Sequence, residues 1–235
     1  MRAEISVVIL CYRAGERIRS FVDKTIKLLN DSIPYWEIIL VGNYLKNTDD
    51  PTPETVKDIS SKNQNIKVVT RVKEGMMGWD ARSGLEKCTG KYICLIDGDE
   101  QMPPEDIIRV YRKISGEDLD FVKTYRHIRH DGLVRRVVSD IYNLVFVVLF
   151  PGINVRDVNS KPKIFKKEAY DKMNLTSDDW FLDAEMVIQA NKLGLKIGEL
   201  PTEFYKCPHR KSFVKFHTIF EFIKNLLITK FRQVF

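Results

Sequence analysis

Paired cysteines, a histidine cluster and any long apolar run are missing from this 235-residue chain. Its four cysteines, Cys11, Cys88, Cys94 and Cys207, are scattered and form no Cys-x-x-Cys pair. That excludes a zinc ribbon and a disulfide framework, and it fits a reducing, cytosolic compartment. Cys11 and Cys94 lie in apolar runs and read as buried thiols. Of the four histidines, His127 and His130 stand three apart in a polar stretch, and no metal is expected there. No uninterrupted apolar segment reaches the ~20 residues that span a bilayer. The opening MRAEISVVIL enters a strand-like run directly, so no signal peptide is expected. Internal repeats and low-complexity tracts are also absent. The net charge of +6 is uneven: from Lys206 onward seven lysines and arginines face one acid, Glu221. Such a tail suits phosphate, anionic lipid or nucleic acid, or is a solvated helix face.

What the chain does have is a 44% hydrophobic share, enough for a core. ISVVIL at 5–10, EIILV at 37–41, IKVVT at 66–70 and KYICLI at 91–96 read as buried strands. Between them, helical spacing appears over 16–29, 53–60 (with Thr52 as a cap before Pro53) and 78–88. Strands alternating with helices imply βαβ units and a mostly parallel sheet flanked by helices, an α/β fold. Helices are further expected over 106–113, 135–150 and 183–193, and strands over 120–124, 163–165 and 196–200. One domain over 1–212 is expected, followed by a basic amphipathic helix over 213–235.

The informative stretch is YICLIDGDEQMPPED, residues 92–106. In a parallel α/β sheet, ligands sit beyond the carboxyl ends of strands. Asp97, Asp99 and Glu100 therefore stand at the ligand edge, with Gly98 permitting close backbone approach. Two hard oxygen donors two residues apart suit Mg2+ or Mn2+ shared with a substrate phosphate. A polar turn after a strand is the plain alternative.

IDGDEQMPPED resembles the metal-binding segment of family 2 glycosyltransferases of GT-A fold. More narrowly it resembles the dolichyl-phosphate mannose synthase branch and its polyprenyl-phosphate relatives, whose pattern Asp-Ala-Asp-x-Gln-x-Pro-Pro-Glu is met by Asp97, Asp99, Gln101, Pro103, Pro104 and Glu105. The resemblance implies that Asp97 and Asp99 hold a divalent ion on the donor diphosphate, supported by Gln101, with Glu100 at a variable position. It covers nearly the whole chain. SVVILCYRAGERI resembles the family's opening strand and nucleotide-contacting loop, which makes Leu10, Tyr12 and Glu16 donor contacts. Residues 78–90 resemble the segment packed under the donor, with Ala81 and Gly90 kept. Arg126, then Arg135-Arg136, match basic elements of the family. Asp157-Val-Asn-Ser160 followed by Lys163-Ile-Phe resembles Asp-x-x-Ser-Gly-Phe-Arg-Leu-Phe. Asp183-Ala-Glu185, Glu199-Leu-Pro201 and His209-Arg-Lys-Ser212 match further elements.

Two departures stand out. The family's second strand ends Val-Asp-Asp-Gly-Ser, but here it ends Val41-Gly42-Asn43-Tyr44, leaving Asn43 to meet a base edge or ribose. Ser-Gly-Phe-Arg has become Ser160-Lys-Pro-Lys163, which trades a bidentate guanidinium for a point charge.

The resemblance implies an inverting transfer from a nucleotide-diphosphate sugar, with Asp99 among the catalytic groups. A lipid-phosphate acceptor is already anionic and needs cations more than a base. Arg126, Arg135, Lys163, Arg210, Lys211 and Ser212 are its candidates. A saccharide acceptor needs a base, for which Asp157 is the first candidate and Asp183 the second. A nucleotide-sugar binding subunit without activity is the third reading. No nucleic-acid polymer is expected as a partner. Residues 137–150 are too short to span a bilayer and read as a core helix or a surface helix meeting lipid. The final helix would present Phe216, Ile219, Phe220, Ile223, Leu226, Leu227, Phe231 and Val234 on one face, for a membrane surface, a membrane-anchoring partner or its own domain. A peripheral position at the cytosolic membrane face is expected.

Overall fold

The structure, a computed structural model, describes residues 2–207 and 224–228. Its strands are β1 (Ile5–Leu10), β2 (Trp36–Val41), β3 (Ile66–Val69), β4 (Tyr92–Asp97), β5 (Phe121–Arg129), β6 (Lys163–Lys166) and β7 (Ile197–Phe204). Its helices are α1 (Ile18–Ser32), α2 (Thr52–Ser61), α3 (Met77–Leu85), α4 (Glu105–Gly116), α5 (Leu133–Leu149), α6 (Lys167–Tyr170) and α7 (Leu182–Lys192). The strands form one sheet in the order β3-β2-β1-β4-β6-β5-β7. β6 runs antiparallel to β4 and β5, and every other pairing is parallel. The mostly parallel sheet flanked by helices is therefore as the sequence implies.

The continuous apolar runs are explained by burial on both faces. Side chains alternate across a strand. Val8, Leu10, Ile39, Val41, Ile93 and Leu95 face a core shared with Leu85, Phe146 and Met186. Val7, Ile9, Ile38, Leu40, Cys94 and Ile96 face a second core with Ile18, Phe21, Val56 and Ile107. One buried carboxylate interrupts the pattern. Glu37 accepts from Ser6 Oγ at 2.5 Å, Thr89 N at 2.7 Å and Lys67 Nζ at 2.6 Å, tying β1 and β2 to the approach to β4.

Three expectations need adjusting. Thr52 is not the cap of α2. It lies within the helix, and Asp50 accepts from its N–H at 3.0 Å and its hydroxyl at 2.6 Å. β5 continues past residue 124 to Arg129, because β7 offers it a parallel partner over its whole length. α5 is a core helix on one side only. Tyr142 and Phe146 are buried, while Leu133, Val137, Ile141, Leu144 and Val148 stand exposed. Of the final helix, only 224–228 is described. There Leu226 is buried, Leu227 is exposed, and Asn225 Nδ2 donates to Asp179 at 2.6 Å. The remaining residues of the helix expected over 213–235, and Arg210, Lys211 and Ser212 ahead of it, lie outside the described residues. Among the described residues, no helix is long and apolar enough to cross a membrane.

The short strand β6 is held by apolar stacking. Phe165 lies over Phe121 with centroids 4.1 Å apart and planes at 9°, both rings fully buried. Phe165→Ala is expected to cost about 3–5 kcal/mol. Urea unfolding should show a lower midpoint with an unchanged slope.

Candidate active site

The carboxyl ends of β1, β4 and β5 share one sheet edge, and the chain entering antiparallel β6 crosses the same edge. Asp97 closes β4 there. Gly98 N donates to Leu10 O at 2.9 Å. A Cβ on Gly98 would lie 2.5 Å from Ile18 Cδ1 and 3.1 Å from Leu10 O, so only glycine lets the Asp97–Asp99 turn sit this close to β1. Asp99 Oδ1 accepts from Gln101 N at 3.1 Å, and Glu100 adopts a left-handed φ of +61° between them. Leu10, Tyr12, Arg13, Gly98, Asp99 and Cys207 line a cleft of about 110 Å³. The structure thus brings together three of the residues implied to meet the donor, Leu10, Tyr12 and Gly98, with the metal candidate Asp99.

As donors for a divalent ion, Asp97 and Asp99 are two hard carboxylates on one turn. Among the described residues no group of three or more His, Cys, Asp or Glu side chains encloses an ion. The pair fits an ion that takes its remaining ligands from water and a diphosphate. Gln101 is directed elsewhere. Its Nε2 donates to Tyr205 O at 3.0 Å, while Tyr205 N donates to Gln101 O at 2.8 Å. This clamp fastens the loop after β4 to the end of β7.

Beside Asp97 lies a residue that the sequence reading passed over. Lys161 Nζ is 3.3 Å from Asp97 Oδ2 and 3.0 Å from Asp183 Oδ2, and Lys163 Nζ is 2.6 Å from Asp183 Oδ1. Burial opposes the Lys161 charge, yet Asp183 and Asp97 outweigh it and hold the ammonium above the ordinary lysine value. Lys163 behaves oppositely. Burial pushes it down to about 8, with Asp183 offsetting only part and Lys161 and Lys123 adding to the fall. Lys163 is fully buried and its Nζ also donates to Ser160 O at 2.9 Å. It therefore has no face for an acceptor phosphate, and the implied role is corrected to that of a charge inside the fold.

Two other implied donor contacts also point inward. Asn43 is fully buried: its Nδ2 donates to Asp80 at 2.9 Å and Ser83 at 3.1 Å, and its Oδ1 accepts from Arg71 N at 2.8 Å. Its amide braces β2 against α3 rather than meeting a base. Ala81 is fully buried in the first core. Glu16 is exposed but engaged, bound by Arg19 at 2.6 Å and Thr55 at 2.7 Å. Tyr12 carries the Lys73 ammonium 4.4 Å above its ring, and Lys73 pairs with buried Asp80.

Farther along the edge, Arg126 and Asp157 form a two-point ion pair, Nε–Oδ2 2.6 Å and Nη2–Oδ1 2.8 Å. Burial opposes the Asp157 charge, but Arg126 prevails and holds the carboxyl far below the usual range. Such a group is a poor proton acceptor. Arg126 Nη2 also reaches Ser139 Oγ at 3.0 Å. Around this pair Arg129, Arg136, Arg156, His127 and Ser139 line a basic hollow of about 250 Å³. Arg135 lies near it, half-buried and 3.9 Å from Asp131. Ser139, Arg129 and Arg156 were not singled out from sequence. The hint for Ser139 is helical: a residue four after Arg135 shares its face.

The Asp157 carboxyl has a depressed folded-state pKa, so its stabilising effect is present above the ordinary aspartate value of about 3.9 and is lost as pH falls below it. Asp157→Asn strips Arg126 of its partner and is expected to cost about 3–5 kcal/mol near neutrality. Urea midpoints measured from pH 7 down to about 3 should show the gap between the two proteins narrowing only below about pH 4.

The family model for "Glycosyl transferase family 2" matches residues 6–179. A dolichyl-phosphate beta-glucosyltransferase of Trichomonas vaginalis is 24% identical over 213 residues, covering 85% of this chain and 65% of that protein. A dolichol-phosphate mannosyltransferase of Pyrococcus furiosus is 25% identical over 231 residues, covering 95% of this chain and 62% of that protein. The chain thus spans less than two thirds of the length of either relative. Among solved structures, glucosyl-3-phosphoglycerate synthase from Mycobacterium tuberculosis in complex with Mn2+, UDP and phosphoglyceric acid superposes with a TM-score of 0.71 at 18% identity, covering 97% of this chain and 78% of that one. At that identity the likeness speaks for the fold, and it is the fold the sheet order describes. With the family model running from β1 to the approach of α7, the chain belongs to glycosyl transferase family 2.

Proposed function

We propose that this protein is an inverting, metal-dependent glycosyltransferase that moves a sugar from a nucleotide-diphosphate sugar to a polyprenyl-type lipid phosphate. The donor would lie in the cleft between Leu10, Tyr12 and Asp99, with its diphosphate at the Asp97–Asp99 turn. Asp97 and Asp99 would hold Mg2+ or Mn2+, and the ion when bound neutralises charge on the leaving diphosphate. The acceptor phosphate oxygen attacks the anomeric carbon from the face opposite the departing diphosphate. The new carbon–oxygen bond forms as the old one breaks, and the diphosphate leaves with the electron pair.

The observation that carries the acceptor class is the basic hollow around Arg126. Arg136 and Arg156 stand exposed there beside Ser139, and Arg126 and Arg129, paired with Asp157 and Asp131, lie behind them; with Asp140 and Asp157 as the acids of the lining, the four arginines leave an excess of positive charge suited to a phosphate. The same geometry weakens the case for a saccharide acceptor. Its hydroxyl needs a base, and Asp157 and Asp183, the two candidates, are both pinned by cations and held below the ordinary carboxylate range. The dolichyl- and dolichol-phosphate acceptors named for the two relatives agree with the phosphate reading. The exposed apolar face of α5 adjoins the hollow, since Ser139 belongs to that helix. It would rest on the lipid surface that supplies the acceptor, at the cytosolic face.

Transfer should be assayed with Mn2+, a panel of nucleotide sugars, and polyprenyl phosphate or an oligosaccharide. Transfer to the lipid phosphate alone is expected. Asp99→Ala should reduce it about a hundredfold or more, equivalent to the several kcal/mol that a metal clamp supplies. Persistence of full activity in Asp99→Ala defeats the metal-clamp role, and transfer to the saccharide alone defeats the acceptor assignment. Arg136→Ala, at an exposed position, should raise the acceptor KM about tenfold with little change in kcat. In sedimentation with anionic liposomes at low salt, the wild type should pellet and a Leu144→Glu/Val148→Glu variant should remain in the supernatant.

A further inference from the structure

The carboxylate that ends β4 already has a cation. Antiparallel pairing ends with Leu95 opposite Lys163, and Lys161 lies in the bend just before β6, next to the end of β4. Lys161 is 3% exposed and cannot turn to solvent without unpacking. Its backbone is fixed as well: Thr124 Oγ1 donates to Lys161 O at 2.6 Å and lies 2.8 Å from Ser160 Oγ. The ammonium is thereby held between Asp97 and Asp183, at 3.3 and 3.0 Å.

We propose that Lys161 is a positioning residue that keeps Asp97 as an internal ion pair, so that the site binds a divalent ion weakly by itself and takes it up together with a diphosphate. This rests on the reading that Asp97 and Asp99 hold the ion. Lys161 and Lys163 balance Asp97 and Asp183, so the quartet is neutral. A divalent ion placed on Asp97 adds two positive charges a few ångströms from the Lys161 ammonium, offset by Asp99 and by the exposed Glu100 at the cleft rim. Two like-signed cations sharing one carboxylate repel strongly at that range. Among the described residues no third His, Cys, Asp or Glu joins Asp97 and Asp99 in a set that could hold the ion. A diphosphate brings the missing negative charge. Asp97 also keeps part of its surface open, at 31% side-chain exposure, so an ion arriving with a diphosphate has a free approach to it. The lysine thus makes metal uptake conditional on donor, and it presents Asp97 in one fixed orientation.

The test is a titration of the full chain with Mn2+ followed by the EPR signal of the free ion, in the absence and presence of UDP or GDP. Wild type should bind Mn2+ alone weakly and at least about tenfold more tightly with one of the diphosphates. Lys161→Met should bind Mn2+ alone about tenfold more tightly than wild type, and the diphosphate should then add less. Lys161→Arg, which keeps the charge, should behave as wild type, a rescue that a merely structural role does not produce. If Lys161→Met fails to fold, Lys161→Gln replaces it. Wild type that binds Mn2+ as tightly alone as with either diphosphate overturns the inference without any variant. So does a folded Lys161→Met whose Mn2+ affinity is unchanged or weaker. If Asp99→Ala leaves Mn2+ binding with the diphosphate intact, the metal assignment itself fails and this inference with it. Asp99-dependent binding combined with an unaltered Lys161→Met removes the role of Lys161 alone.

Discussion

The site depends on one short reversed strand. β6 runs against its neighbours, so it delivers Lys161 and Lys163 to the same sheet edge where β4 delivers Asp97 and β5 leads to Arg126. A parallel strand in that place would carry those residues to the opposite edge. Burying charges is costly unless each has a partner, and here each has one: Lys161 and Lys163 on Asp183, Lys161 also on Asp97, Lys123 on Glu199, Arg126 on Asp157. The result is a nearly neutral, interlocked floor with a few deliberate openings above it.

This division explains why adjacent residues of similar chemistry have different fates. Lys161 and Lys163 are two apart at the entry to β6, yet one reaches the Asp97 turn and the other ends inside the fold. Asp97 keeps an open face, whereas Asp183 has both oxygens consumed by ammonium groups. Proximity to the edge is therefore a weaker guide to reactivity than the number of partners a group has already acquired.

Much of the fold was legible because its signal is periodic. The β-branched runs at 5–10, 37–41 and 91–96 could be buried only as inner strands, and the helices between them left few topologies. The Asp97–Asp99 turn was legible because Gly98 and the following prolines constrain it locally. The network at Lys161 and Lys163 was not, because it depends on the antiparallel register of β6, a long-range fact with no local mark. Asn43 misled for the same reason. At the end of β2 its amide looked available, but Asp80 and Arg71, far along the chain, claim it. The arginine hollow was half legible. Arg126, Arg135 and Arg136 carried a family pattern, while Arg129 and Arg156 join Arg126 and Arg136 only when β5, α5 and the loop before β6 meet.

α5 answers to three environments at once. Tyr142 and Phe146 enter the core, Ser139 and Asn143 line the arginine hollow, and Leu144 and Val148 face outward. Each added residue turns a helix by about 100°. A single insertion or deletion within α5 would therefore exchange all three faces together, sending a leucine into the hollow and a polar group into the core. Substitutions have room on the outward face, but the length of this helix has almost none. The phase of its winding, more than the identity of any one side chain, is what lineages of this protein have to preserve.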